Sequence, residues 1–203
     1  MPSTAFTLIR RAAAVCAVLL TASVLAAPLA QADNTPRTIS QVLNERTDGY
    51  GPTVFCRANT VIISQGNSLY VSTDLDQGGD DEKWGMLRAG WARSIGPWEL
   101  FTLCYDGTNF DGVMTLRSQA NNMYVSAEFG YTGSSYAMLR ARASSVGPWE
   151  QFYLRNNWNG TWSISIYPGT QWVSAELGFS ERSYGMLRAR SGSAGPWEIF
   201  SMH

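Results

Sequence analysis

The sequence predicts an all-β domain made of three copies of one unit of four short strands. A Gly-Pro-Trp-Glu motif occurs three times, beginning at Gly96, Gly147 and Gly195. Each copy follows a Met-Leu-Arg-Ala segment and precedes an apolar strand pattern, and further upstream lies an aromatic-Val-Ser segment that ends in an acid. The prolines of successive motifs are 51 and 48 residues apart. Such a period indicates a unit that cannot bury its apolar face alone and packs against its copies.

Repeat 2 shows the four strands most clearly, and we expect them at residues 113–118, 123–128, 138–142 and 149–154. Asn121-Asn122 predicts a tight turn between the first two. Repeat 3 follows the same pattern, with strands expected at 162–166, 171–176, 186–190 and 197–202. Repeat 1 differs because an acidic insert, residues 74–82, replaces the aromatic loop between the second and third strands.

Twelve short strands in three units close most simply as a β-trefoil. Three copies are too few for a propeller, and an open stack needs polar capping repeats that the sequence does not show. In a trefoil, the first and fourth strands of each unit form a six-stranded barrel, and the middle hairpins cover one end. Two sets of three-fold mates are then expected in the barrel core: Leu103, Leu154 and Met202, and Ile62, Leu116 and Ile164.

The chain divides into three segments. Residues 1–32 have two arginines, an apolar run and an Ala-Gln-Ala pattern, which together predict an export signal and a secreted, extracellular protein. Residues 33–55 are a polar tail, and residues 56–203 are the trefoil, with repeats at about 56–106, 107–156 and 157–203. In an exported chain, Cys56 and Cys104 most simply form a disulfide, and in the closed barrel they fall on neighbouring strands.

The three units resemble those of the fascin family. The resemblance rests on the aromatic-Val-Ser-Ala-Glu strand, the Leu-Arg-Ala-Arg strand and the Gly-Pro-Trp-Glu-x-Phe segment, and it covers about residues 60–202. Fascin bundles actin with four such trefoils, whereas one is present here. The units are even more similar to fascin-like modules attached to secreted bacterial glycoside hydrolases. This similarity implies a carbohydrate-binding module whose partner is a glycan or cell-wall polysaccharide.

The glutamates of the repeated motif, Glu99, Glu150 and Glu198, are expected to be structural. A residue that is identical in all three repeats more often belongs to the scaffold than to a binding site. We expect each motif tryptophan to pack in the domain. We also expect each glutamate to pair with an arginine of the third strand, which is Arg88, Arg140 or Arg188.

The loops between the second and third strands hold the candidate ligand-binding residues. An aromatic ring can stack on the C–H face of a pyranose while a nearby carboxylate accepts hydroxyl hydrogen bonds. The candidates in repeats 2 and 3 are Glu128, Tyr131, Tyr136, Glu176, Phe179 and Tyr184. Tyr131 and Phe179 are favoured because the Gly and Ser residues around them offer few packing partners. For Tyr136 and Tyr184, a structural role in plugging the barrel end stays open.

Other functions are less well supported by the composition. The chain holds one histidine, His203, so no Ser-His or Cys-His pair can be assembled and we expect no enzyme. The net charge is −1 and Lys83 is the only lysine, which predicts neither a nucleic-acid partner nor membrane insertion. No cofactor is expected, although Ca²⁺ binding by the insert 74–82 stays open. The alternative function is a protein-interaction module, such as an actin-binding adaptor or a protease inhibitor.

Overall fold

A computed structural model describes residues 54–76, 82–106 and 113–203. The predicted export signal, the polar tail up to residue 53, and residues 77–81 of the acidic insert lie outside the described residues. Thirteen strands are present in the described part: β1 Val54–Thr60, β2 Ile62–Ser64, β3 Ser72–Asp74, β4 Met86–Arg88, β5 Phe101–Asp106, β6 Val113–Ser118, β7 Tyr124–Glu128, β8 Met138–Ala143, β9 Phe152–Asn156, β10 Trp162–Ile166, β11 Trp172–Glu176, β12 Met186–Ser191 and β13 Phe200–Met202.

The strands close into a six-stranded barrel as the sequence predicts. Strands β1 and β2 together form the first strand of repeat 1, and β1 pairs with β5. The pairing continues from β5 to β6, β9, β10 and β13, and β13 returns to β2. These are the first and fourth strands of each repeat, all antiparallel to their neighbours. The chain therefore has a β-trefoil fold, and closure leaves the barrel without a free strand edge.

The barrel core contains the predicted three-fold mates. Ile62, Leu116 and Ile164 are at most 1% exposed, whereas Leu154 of the second set is only partly buried. The first residue of each fourth strand adds a fully buried ring: Phe101, Phe152 and Phe200. Full burial of three phenylalanines explains why Gly-Pro-Trp-Glu is followed two residues later by Phe in every repeat.

The middle hairpins β3–β4, β7–β8 and β11–β12 cover one end of the barrel. Strands β4, β8 and β12 pair with one another around the pseudo-three-fold axis. Their first residues, Met86, Met138 and Met186, form a separate, fully buried methionine cluster. The backbones approach closely here, since a Cβ on Gly185, which has a φ of 73°, would lie 2.2 Å from the Ala89 carbonyl oxygen. Glycine is required at this position.

The Gly-Pro-Trp-Glu motifs form 3₁₀ turns, not the starts of strands. The turns are Pro97–Glu99, Pro148–Glu150 and Pro196–Glu198, and the fourth strand of each repeat begins two residues after its turn. Two other 3₁₀ turns, Gly133–Ser135 and Glu181–Ser183, lie in the loops between second and third strands. The strand predictions for 149–154 and 197–202 were therefore wrong at their N-terminal ends. Proline at the first position sets the backbone angle that such a turn needs.

The predicted disulfide is present. Cys56 and Cys104 are bonded and are directly opposite each other on β1 and β5. They lie on the outside of the barrel, where Cys56 is exposed. Within the described residues, none of the helices has the length and apolar character needed to cross a membrane.

Candidate functional site

The motif glutamates are structural, as expected, but their partners are not the predicted arginines. Glu99, Glu150 and Glu198 are between 6% and 8% exposed. In each, Oε2 accepts a hydrogen bond of 2.7 Å from the backbone N–H of the glycine three residues earlier. The carboxylate thus caps its own 3₁₀ turn, which satisfies a donor at the start of the turn.

The third-strand arginines contact the loops at the capped end of the barrel. Arg88 Nη1 donates to the Arg182 carbonyl oxygen at 3.0 Å, and Arg188 Nε donates to the Tyr136 carbonyl oxygen at 2.8 Å. Arg140 Nε donates to the carbonyl oxygen of Trp84 at 2.8 Å. The predicted Arg–Glu pairing across the motif was therefore wrong, because the arginines extend toward the neighbouring repeat.

The motif tryptophans are also placed differently from the prediction. Trp98, Trp149 and Trp197 are 49%, 45% and 41% exposed. Trp149 contacts the edge of Phe129 with ring centroids 6.3 Å apart, so one side packs and the other faces outward. The expectation that the motif tryptophans are substantially buried was wrong, since each is only partly packed against the domain. Each turn directs its glutamate inward and its tryptophan to the surface.

Glu128 and Glu176, two of the predicted ligand-binding residues, are each held by an arginine of their own repeat. Both are 2% exposed. Arg142 donates to both oxygens of Glu128, and Arg190 donates to both oxygens of Glu176, with Nη2–Oε2 distances of 2.7 and 2.6 Å. The hydrogen bond to Glu128, with a smaller contribution from Glu150, raises the pKa of Arg142. The same pattern, with Glu198 contributing, raises the pKa of Arg190.

The favoured aromatic residues Tyr131 and Phe179 pack against the methionine cluster. Both are partly buried there, and the Tyr131 hydroxyl is 2.5 Å from Arg140 Nη1. The Arg188 guanidinium carbon lies 5.7 Å from the Phe179 ring centroid. The expectation that these two residues lack packing partners was wrong. Their contact with a ligand stays a prediction.

Tyr136 and Tyr184 lie at the C-terminal ends of the loops between the second and third strands of repeats 2 and 3. Tyr136 is 36% exposed and its ring meets Phe129 edge-on, with centroids 5.7 Å apart. Tyr184 packs against the core and lies 6.3 Å from the ring of Trp91, a residue of repeat 1. The structure therefore brings one predicted residue, Tyr184, beside an aromatic side chain that sequence reasoning did not single out.

A groove of about 520 Å³ lies in repeat 1, between the second strand and the 3₁₀ turn. This volume is in the range of about 300–1,000 Å³ that is common for small-molecule sites. Its most exposed aromatic residues are Trp91, 59% exposed, and Trp98. Its polar lining comes mainly from acids and arginines: Asp74, Asp76, Glu99, Arg88 and Arg93.

The acids of the groove are ordered by short-range contacts. Asp74 is 6% exposed and accepts from Arg88 and from Arg182 of repeat 3, the latter at 3.3 Å. Glu99 accepts from the Ser72 hydroxyl at 2.6 Å. Burial lowers the pKa of Arg88, and Asp74 opposes this effect by favouring its charged form. Asp74, Glu99 and Arg88 are therefore held by contacts within the protein, and two exposed indole rings line the same groove.

Repeat 1 differs from its copies at the position of the arginine that holds the second-strand acid. The segment after Arg88 reads Ala-Gly-Trp-Ala-Arg-Ser-Ile, whereas the segments after Arg140 and Arg188 read Ala-Arg-Ala-Ser-Ser-Val and Ala-Arg-Ser-Gly-Ser-Ala. Gly90 thus stands where the other repeats have Arg142 and Arg190, and repeat 1 is one residue longer. A Cβ on Gly90 would lie 3.0 Å from the Tyr184 carbonyl oxygen, which is too close without movement of that backbone.

The sequence did not single out Trp91 or Trp98 as candidate ligand-binding residues, and it pointed to Asp76 only as part of the insert considered for Ca²⁺. The predicted candidates lie in repeats 2 and 3, whereas the groove lies in repeat 1. The available indication was the change from Arg-Ala and Arg-Ser to Gly-Trp in register with the other copies. In residues 54–76, 82–106 and 113–203, no cluster of three or more His, Cys, Asp or Glu residues could hold a metal ion. Most of the insert considered for Ca²⁺ lies outside these ranges.

The comparisons with known proteins support the fold. The designed three-fold symmetric protein ThreeFoil is 12% identical with a TM-score of 0.54, covering 70% of this chain and 96% of that one. The BEL beta-trefoil is 10% identical with a TM-score of 0.50, covering 71% and 92%. The SDF2-like protein from Arabidopsis thaliana is 6% identical with a TM-score of 0.56, covering 74% and 95%. No family model matches the sequence, and no curated protein matches it. Identities this low show a shared fold and nothing about function.

Proposed function

We propose that this protein is a secreted, non-catalytic module that binds a carbohydrate chain in the groove of repeat 1. The observation that carries the proposal is the pair of exposed tryptophans, Trp91 and Trp98, in a groove that acids and arginines also line. Indole rings offer flat apolar faces for pyranose C–H groups, and carboxylates and guanidinium groups bond to sugar hydroxyls. The predicted export signal and the resemblance to fascin-like modules of glycoside hydrolases support the same role.

Repeats 2 and 3 are secondary sites in this proposal. Their acids, Glu128 and Glu176, each accept two hydrogen bonds from a neighbouring arginine, so part of their capacity is already used. Trp149 and Trp197 still offer exposed indole faces, and Tyr136 is exposed beside them in repeat 2. Weak contacts of this kind gain affinity when a polymer engages several repeats at once.

The test is retention on insoluble polysaccharides together with a glycan array. Trp98→Ala should abolish retention at concentrations where the wild-type protein binds. The matched control is Trp197→Ala, which removes the same residue from the same turn of repeat 3 and should lower retention only modestly. If the folded wild-type protein is retained on no polysaccharide and binds no glycan on the array, the proposal is wrong.

A protein partner is the second candidate, and Trp158 is the observation that favours it. This residue is 91% exposed at the tip of the loop between β9 and β10. Its backbone N–H donates to Asn156 Oδ1 at 2.8 Å. Tryptophan is enriched among the residues that dominate binding at protein interfaces. Trp158→Ala should leave glycan retention unchanged, and loss of retention would place the glycan site at this loop instead.

A further inference from the structure

We propose that the groove of repeat 1 selects a glycan whose sugar residues carry a free, protonated amino group. The inference rests on the proposed function, since it names the class of carbohydrate that the same groove takes. It starts from a comparison of the three repeats. Each repeat has an acid at the end of its second strand and a buried glutamate in its 3₁₀ turn, but Gly90 of repeat 1 stands where an arginine holds the second-strand acid of repeats 2 and 3.

Arg142 and Arg190 show that the position beside the second-strand acid holds a cation in repeats 2 and 3. Arg142 donates two hydrogen bonds to Glu128 and is within electrostatic reach of Glu150. Arg190 has the same relation to Glu176 and Glu198. The corresponding acids of repeat 1 are Asp74 and Glu99, and both line the groove. Repeats 2 and 3 therefore hold a cation beside the second-strand acid, and repeat 1 has Gly90 at the position of that cation.

The charges that face the groove are compatible with a cationic ligand. Asp74 is already paired with Arg88 and with Arg182. Glu99 accepts from two neutral donors, the Ser72 hydroxyl and the Gly96 N–H. Asp76 is exposed at the groove rim and adds a further negative charge, while the exposed Arg93 is the opposing charge there. An ammonium group would thus be attracted mainly by Glu99 and Asp76.

The aromatic walls suit the same ligand. A cation over the face of an indole is attracted by the ring quadrupole, as the Arg88 guanidinium carbon already is at 5.2 Å from the Trp91 ring centroid. An amino sugar combines an apolar C–H face with an ammonium group on one ring. It can therefore add a charge–charge attraction to the acids to its stacking on the indole faces, whereas a neutral sugar can only hydrogen-bond to those acids.

The experiment compares three soluble oligomers of equal length by calorimetry: glucosamine, N-acetylglucosamine and glucose oligomers. At mildly acidic pH, the glucosamine oligomer should bind at least about tenfold more tightly than the other two, because it alone carries the ammonium groups. Its affinity should fall as salt is added, while that of the glucose oligomer should not.

Two variants test whether the acids of the groove cause the preference for the glucosamine oligomer. Asp76→Asn, at an exposed position, and Glu99→Gln, which keeps hydrogen-bonding capacity in the turn, should each reduce both the affinity for the glucosamine oligomer and its preference over the glucose oligomer by several-fold. Glu150→Gln is the matched control in repeat 2 and should change neither. Thermal melts show whether the variants fold. If Glu99→Gln does not fold, the result for Asp76→Asn alone decides whether the acids of the groove cause the preference.

The outcomes separate the two proposals. Equal binding of all three oligomers, or a preference that survives both variants, overturns the amino-sugar assignment and leaves carbohydrate binding standing. Binding of none of them in this titration also overturns the amino-sugar assignment, while retention on other polysaccharides still decides the proposed function. Tight binding of an arginine- or lysine-rich peptide without binding of the glucosamine oligomer would overturn both and identify the cation as a protein side chain.

Discussion

Replacing Trp149 with alanine should destabilise the domain by about 2 kcal/mol, clearly less than replacing Phe152. Trp149 is 45% exposed, so a little over half of its surface is in contact with the protein. A tryptophan buries up to about 250 Å², and at about 25 cal/mol per Å² the contact part gives about 3 kcal/mol. A compact unfolded chain and the Cβ that alanine keeps reduce this to about 2 kcal/mol. Phe152 is fully buried, and its truncation should cost about 3–5 kcal/mol.

Urea unfolding of the two variants and the wild-type protein, followed by far-UV circular dichroism, measures both values on one scale. The free energy of unfolding should fall in the order wild type, Trp149→Ala, Phe152→Ala, with similar denaturant slopes. A loss for Trp149→Ala that equals or exceeds the loss for Phe152→Ala would refute the reasoning. The motif tryptophans would then be core residues and Trp98 would be a poor candidate for ligand stacking.

Three other perturbations test the scaffold by the same unfolding assay. Arg142→Ala leaves the buried Glu128 carboxylate without its two charge-assisted hydrogen bonds and should cost about 2 kcal/mol; a loss below about 0.5 kcal/mol would mean that solvent replaces the arginine. Replacing both Cys56 and Cys104 with serine opens a loop with a sequence separation of 48 residues and should cost about 4 kcal/mol; an unchanged stability under oxidising conditions would contradict this. Phe179→Ala removes a ring packed on the methionine cluster and should cost about 1–2 kcal/mol; a neutral effect would return Phe179 to the open-loop role that the sequence predicts.

The regular parts of the fold could be predicted because they repeat with a strand period. Leu116 lies between the polar residues Thr115 and Arg117, and this alternation predicts which face of its strand is buried. Three copies in register then limit the closure to one arrangement. The disulfide followed from the same closure, since Cys56 and Cys104 fall on adjacent strands.

The irregular turns could not be predicted in the same way. Trp149 and Glu150 are neighbours in a 3₁₀ turn, where neither the strand period nor the helix period decides which side chain points inward. The ranking of residue types then favours a buried tryptophan and an exposed glutamate, whereas the structure has the reverse. The reason is local, because the Glu150 carboxylate caps the N–H of Gly147 and must lie beneath the turn.

The candidate groove of repeat 1 was not predicted from the sequence, because the difference that marks it is the absence of a side chain at Gly90. Repetition drew attention to Glu128 and Glu176, and the structure shows that arginines of their own repeats hold both. Gly90 carries no side chain, so nothing in its own chemistry indicates a site. Its meaning appears only when the three repeats are compared in register, because Gly90 then falls where Arg142 and Arg190 hold the second-strand acids.

The central claim is that a ligand binds at repeat 1 and not equally at all three repeats. The chain has eight tryptophans, so a ¹H–¹⁵N spectrum should show eight indole N–H signals, assignable by Trp→Phe variants. During titration with a glycan that the protein retains, the signals of Trp91 and Trp98 should shift first and most, while those of Trp149 and Trp197 move little. Equal shifts of Trp98, Trp149 and Trp197, or a largest shift at Trp158, would contradict the account.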